Sequence, residues 1–189
     1  MLVIGDSLSA GYGLSAGESW VDLLRDRLQE SGDGRSVVNA SISGDTTRGG
    51  LARLPRALKI HQPDIVIIEL GGNDGLRAIQ IPEIRRNMDS MIRLANEAGA
   101  SVVVAGIHLP PNYGPDYSER FHTTLEQAAA DGDAAFVPFI LEDVALVPGM
   151  MQADRCLLYT SPSPRDMIPD LVCRLLLVKG GGGGGGGGG

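Results

Sequence analysis

The chain has 189 residues, 43% of them hydrophobic, with 16 Lys and Arg against 23 Asp and Glu and a formal net charge of −7. That length suits one domain with one sizeable core. Scattered charges of acidic balance speak against a nucleic-acid or anionic-membrane surface, and four Tyr, three Phe and one Trp are too few for base-stacking platforms. No apolar run approaches the ~20 residues of a membrane helix.

Residues 2–4 read as a first strand. Trp20, Leu23, Leu24 and Leu28 follow at helical spacing, closed by Ser31-Gly32. Residues 37–39 form a second strand, and Leu51, Leu54, Leu58 and Ile60 mark a second helix that Pro55 is placed to kink. Residues 65–70 are an apolar run rich in Ile and Val, which suits a strand covered on both faces and therefore a parallel sheet. Pro82 opens a long helix with the stripe Ile84, Met88, Met91, Ile92 and Ala95, ended by Gly99. Residues 101–107 make a fourth strand, and 109–117, with three prolines and a glycine, a surface loop. Residues 118–130 form a further helix with Ser118 as its N-cap, and 135–139 a fifth strand. Alternation of this kind predicts right-handed βαβ crossovers and a three-layer α/β/α, flavodoxin-like fold on a five-stranded, mainly parallel sheet. Ligands in such folds bind beyond the carboxyl ends of the strands.

Three polar blocks stand at such ends: Gly5-Asp6-Ser7-Leu8-Ser9, Ser43-Gly44-Asp45-Thr46 and Gly71-Gly72-Asn73-Asp74. A buried strand that empties into a serine is one way to present a nucleophile, so Ser7 is the candidate; taken alone, it reads equally as a helix cap. Gly44 alone is a turn glycine, and Asn73 alone a turn or cap residue. The histidines are His61, His108 and His122, too far apart in the chain to suggest a metal site. Only His108 lies near the carboxyl end of a strand. His61 closes a helix at the opposite end of the sheet, and His122 falls on a helix, where a structural role is the simpler reading. Gly11-Tyr12-Gly13 with Gly17 has the look of a phosphate loop but starts several residues after the strand, and no acidic residue closes the second strand as ribose binding requires.

The three blocks, in order, resemble those of the GDSL, or SGNH, hydrolase family. Asn39 to Thr46, Gly49 to Pro55 and Pro110-Pro111-Asn112-Tyr113-Gly114 bring the resemblance closer to its bacterial thioesterases, lysophospholipases and arylesterases. The resemblance spans residues 2–154, roughly four-fifths of the chain. It implies hydrolysis of carboxylic esters, acyl thioesters or lysophospholipids by Ser7. The oxyanion donors would be the Ser7 and Gly44 backbone amides and the Asn73 side chain. Asp154 would orient a histidine base. Leu76, Ile79, Ile81 and Leu109 are candidates to line an acyl groove, with ordinary packing as the alternative for each. The resemblance implies no cofactor, a small-molecule substrate, a monomer and a periplasmic or secreted location, although no secretory signal precedes Leu2.

The family's last block is Asp, two residues, His, then Pro. Here Asp154 is followed by Arg155-Cys156, and Leu157 stands where the histidine belongs. The expectation is an oxyanion site without its base, hence negligible activity; the alternative is a non-catalytic lipid- or carbohydrate-binding relative that kept the cleft. Residues 155–179, which hold both cysteines, read as a foreign or divergent tail. Cys156 to Asp166 has the character of translated sequencing-adaptor read-through, and Gly180 to Gly189 is a homopolymer that reads as disordered.

Overall fold

The computed structural model describes residues 1–138. Five strands, β1 (Leu2–Gly5), β2 (Val38–Asn39), β3 (Ile65–Glu69), β4 (Ser101–Ala105) and β5 (Ala135–Val137), alternate with helices α1 (Ser7–Ala10), α2 (Trp20–Glu30), α3 (Thr47–His61), α4 (Gly72–Leu76), α5 (Ile81–Glu97) and α6 (Pro115–Asp131). The sheet order is β2-β1-β3-β4-β5, and every pairing is parallel. The expected three-layer α/β fold is therefore present. Chain direction across the sheet reverses between β1 and β3, which opens a crevice at their carboxyl ends.

The period of two along each strand sorts the core into two layers. Leu2, Ile4, Val66, Ile68, Val102 and Val104 pack with Leu54 of α3, Met88 and Met91 of α5 and Phe121 of α6. Val3, Ile65, Ile67, Val103 and Val137 turn to the other face, against Trp20, Val21, Leu24 and Leu28 of α2. All five residues of β3 are buried, as its Ile/Val run implied.

Several boundaries differ from the sequence reading. Helix α6 begins at Pro115, not Ser118: Gly114, at φ +84°, turns the chain in, and a proline in the first turn sacrifices no hydrogen bond. Ser118 is therefore inside the helix, its hydroxyl buried without a partner among the described residues. Helix α3 starts at Thr47, capped by the Thr46 side chain, which accepts from the Gly49 amide, and runs unbroken through Pro55. Ile60 is 60% exposed and lies off the packed face. Strand β4 stops at Ala105, two residues short of its expected end. The last residue expected of the fifth strand, Phe139, the tail and Asp154 fall outside the described residues.

Candidate active site

Strand β1 delivers the first block to the crevice. Asp6 caps α1, its Oδ1 accepting from the Leu8 amide at 3.0 Å. Ser7 is the first residue of that helix and half-buried, and among the described residues its hydroxyl has no hydrogen-bond partner. With only four residues, α1 brings little macrodipole to the site. Gly5 is required by crowding: a Cβ there would stand 2.5 Å from Ser9 Oγ and 2.8 Å from Glu69 Oε2.

The second block follows β2. Asn39 donates from Nδ2 to the Ser9 carbonyl at 2.7 Å and accepts from the Ser41 amide, tying the loop to α1. Gly44 is exposed at φ +78° with open space around its Cβ position, so here glycine serves backbone conformation. Among the described residues its amide donates to no group, which leaves the N–H available. Arg53, reaching up from α3, holds this loop to the sheet. Its guanidinium donates to the Ala40 carbonyl, to the Gly5 carbonyl at 3.2 Å and to Asp45 Oδ2 at 2.7 Å. The ends of β1 and β2 are thereby fixed by one rigid fork.

The third block follows β3. Gly71, at φ +119°, makes a turn that other residues rarely adopt, and α4 begins at once. Asn73 donates from Nδ2 to Asp6 Oδ2 at 2.9 Å. The neighbouring Asp74, 1% exposed, accepts from the Thr47 amide at 2.9 Å and from Thr47 Oγ1 at 2.6 Å; Asn87 of α5 donates to the same hydroxyl. Arg77 donates to the Gly44 carbonyl at 3.2 Å. Thus Asp6–Asn73 links the first and third blocks, and Asp74–Thr47 and Arg77–Gly44 link the third and second. Ser7, Gly44 and Asn73 lie on three segments that are directly hydrogen-bonded to one another. Asp154 lies outside the described residues.

Burial dominates the electrostatics of this floor. It raises the Asp6 carboxyl to about 6, against the opposing pull of the Leu8 and Asn73 hydrogen bonds. Glu69 is raised well above its ordinary value, by burial first and the Asp6 charge second. Asp74 is raised by burial, with the Thr47 hydrogen bonds opposing.

Among the described residues no histidine is hydrogen-bonded to Ser7. His108 stacks on His122 with ring centroids 4.4 Å apart, and His122 meets Phe136 edge-on at 5.7 Å. His61 closes α3 at the other end of the sheet. Among the described residues no group of three or more His, Cys, Asp or Glu is arranged for a metal. No helix of the described residues is long and apolar enough to cross a membrane. Of the groove candidates, Leu109 is buried, Ile79 and Ile81 pack against the core, and Leu76 is 36% exposed. Tyr113 and Tyr117 donate to the Leu76 and Ile79 carbonyls, each at 2.9 Å, and pin the loop after α4. Glu69, Arg53, Thr47 and Asn87 were not anticipated. Glu69 had a signal, a lone carboxylate inside an Ile/Val run; the others join distant segments and had none.

The fold is the doubly wound class whose switch point here gathers a serine, a glycine and an asparagine. Its sequence matches the model of the GDSL-like lipase/acylhydrolase family over residues 3–167. The chain belongs to that family, whose members hydrolyse ester bonds. It is 53% identical over 154 residues to Esterase TesA of Pseudomonas aeruginosa, covering 82% of this chain and 77% of that protein. It is 45% identical to an arylesterase of Vibrio mimicus, covering 94% and 88%, and 46% identical to thioesterase 1/protease 1/lysophospholipase L1 of Escherichia coli, covering 82% and 73%. Among solved structures, the psychrotrophic esterase EstA from Pseudoalteromonas, inhibited by monoethylphosphonate, superposes with a TM-score of 0.87 at 36% identity, covering 93% of this chain and 97% of that one.

Proposed function

We propose that this chain carries the acyl-transfer site of a serine hydrolase acting on carboxylic esters, acyl thioesters or lysophospholipids, the substrate classes named for its relatives. Ser7 Oγ attacks the carbonyl carbon. The tetrahedral oxyanion accepts from the Ser7 amide, the Gly44 amide and the second N–H of Asn73 Nδ2. Collapse expels the alcohol or thiol, and water then hydrolyses the acyl-serine.

The Asp6–Asn73 hydrogen bond carries this reading. An ionised carboxylate only accepts, so it selects the amide orientation that turns Nδ2 toward the first block and leaves one N–H free. Gly44 contributes an amide with no other partner among the described residues.

A base must take the Ser7 proton and return it to the leaving group. Asp154 would orient that base, and Leu157 stands in its place. The chain as it stands is therefore a site with nucleophile and oxyanion donors but an incomplete proton relay. Loss of a triad histidine costs ~10⁶ in turnover, while an oxyanion hole alone retains ~10³–10⁴ over water.

A fluorophosphonate probe, which bonds phosphorus to an activated serine oxygen and releases fluoride, tests the assignment. In the full chain carrying Leu157→His and Leu158→Pro, peptide mapping is expected to find the adduct on Ser7, abolished by Ser7→Ala. An adduct that persists after Ser7→Ala overturns the assignment.

A further inference from the structure

Glu69 is the one charged residue of β3 and occupies its last position, in register with Gly5 across the β1 pairing. It is 0% exposed. Its Oε2 accepts from Ser9 Oγ at 2.5 Å and from the Asp6 amide at 3.4 Å, while Oε1 has no partner among the described residues. Ser9 is itself 0% exposed, and its carbonyl accepts from Asn39. A buried carboxyl with one unsatisfied oxygen is a costly way to fill space, since an apolar side chain would pack there without a polar penalty. Its contacts show what the cost secures. Residues 6 and 9 bracket Ser7, and one carboxyl oxygen holds both. Gly5 lacks a Cβ because that oxygen and Ser9 occupy the space.

We propose that Glu69, acting through Ser9 and the Asp6 amide, is a positioning residue that fixes the direction of the Ser7 hydroxyl. This rests on Ser7 being the nucleophile. The held atom is an acceptor, Oε2, so the neutral acid serves as well as the carboxylate, and deep burial favours the neutral form. A glutamine presents the same acceptor in the same volume.

The test uses the full chain with Leu157→His and Leu158→Pro, and p-nitrophenyl butyrate as substrate. Glu69→Ala is expected to lower kcat ~100-fold, the cost of a misplaced reacting group, with KM changed by less than about threefold. Glu69→Gln should recover at least about tenfold of that loss, and Ser9→Ala added to Glu69→Ala should cost little more, because the two act as one unit. Ser9→Ala alone removes the hydroxyl half of the clamp, leaves the Asp6 amide contact, and serves if Glu69→Ala does not fold. Native kcat in folded Glu69→Ala, or Glu69→Gln as damaged as Glu69→Ala, overturns the proposal. A second arm needs no turnover: in the chain without the two tail changes, amide hydrogen exchange at residues 6–9 should accelerate at least about tenfold in Glu69→Ala and stay near native in Glu69→Gln. Unchanged exchange overturns the clamp. Equal rates with Ser7 and with Ser7→Ala overturn the nucleophile instead, and the exchange arm still judges Glu69.

Discussion

Asp6→Asn separates two jobs that one side chain performs. Asp6 Oδ1 caps α1 through the Leu8 amide at 3.0 Å, and Oδ2 accepts from Asn73 Nδ2 at 2.9 Å. An asparagine can keep one acceptor, not both. If its oxygen stays on Leu8, its NH₂ faces the NH₂ of Asn73, and Asn73 must turn its oxygen inward. An oxygen then points where the oxyanion forms, and the loss of one donor costs ~10²–10³ in turnover. If the oxygen turns to Asn73 instead, the cap is lost at about 1 kcal/mol and the amide survives. The first arrangement relieves the donor clash at no cost to the helix and should prevail. In the Leu157→His, Leu158→Pro chain, Asp6→Asn is therefore expected to lower kcat at least ~100-fold with the melting temperature within a few degrees of its parent. A kcat within threefold of the parent, with Leu8 still protected from exchange, would refute the role given to the Asp6–Asn73 contact.

Gly5→Ala places a methyl 2.5 Å from Ser9 Oγ and 2.6 Å from Ser9 Cβ; overpacking of this kind costs about 2–3 kcal/mol and should lower Tm by roughly 4–12 °C in a thermal melt. Asp74→Ala strands the Thr47 amide and hydroxyl, both buried, and should cost about 2–5 kcal/mol in urea unfolding, with Asp74→Asn milder because it keeps one acceptor. The Asp6 carboxyl titrates at about 6 in the folded chain against 3.8 ordinarily. Between those values the folded state binds more protons than the unfolded one, so stability falls as pH rises. Relative to Asp6→Asn, the parent chain should gain about 2 kcal/mol as pH drops from 7 to 4, read from paired denaturation curves; no relative gain contradicts the burial argument.

The fold was legible because its central strands β1 and β3 are buried on both faces. Residues 65–70 announced a buried parallel strand, and the stripe from Ile84 to Ala95 announced α5, whose stripe members are all buried. Legibility failed where a local signal competed with a turn. Ser118 has the chemistry of a cap, yet Gly114 and Pro115 start the helix sooner. Ile60 continues the helical apolar spacing, but the packed face of α3 ends at Leu58. The proposed site residues Ser7, Gly44 and Asn73 stand out in the sequence because each follows a strand. The supports do not. Thr47, Asn87 and Arg53 act through partners 8 to 48 residues away in the chain, so their roles exist only once the fold closes. Glu69 sat inside the third strand's run and was read through as part of its apolar pattern. A carboxylate there, with strand on one side and Leu70-Gly71 on the other, had to find a buried partner, and Ser9 is that partner.

The most direct measurement is p-nitrophenyl ester hydrolysis by three forms of the 189-residue chain: the sequence as it stands, the Leu157→His/Leu158→Pro form, and that form with Ser7→Ala. Turnover is expected to be negligible in the first, to rise ~10³-fold or more in the second, and to vanish in the third. Enzyme-like rates in the unaltered sequence, or rates in the second form that survive Ser7→Ala, would contradict the assignment of Ser7 as nucleophile awaiting a base at position 157.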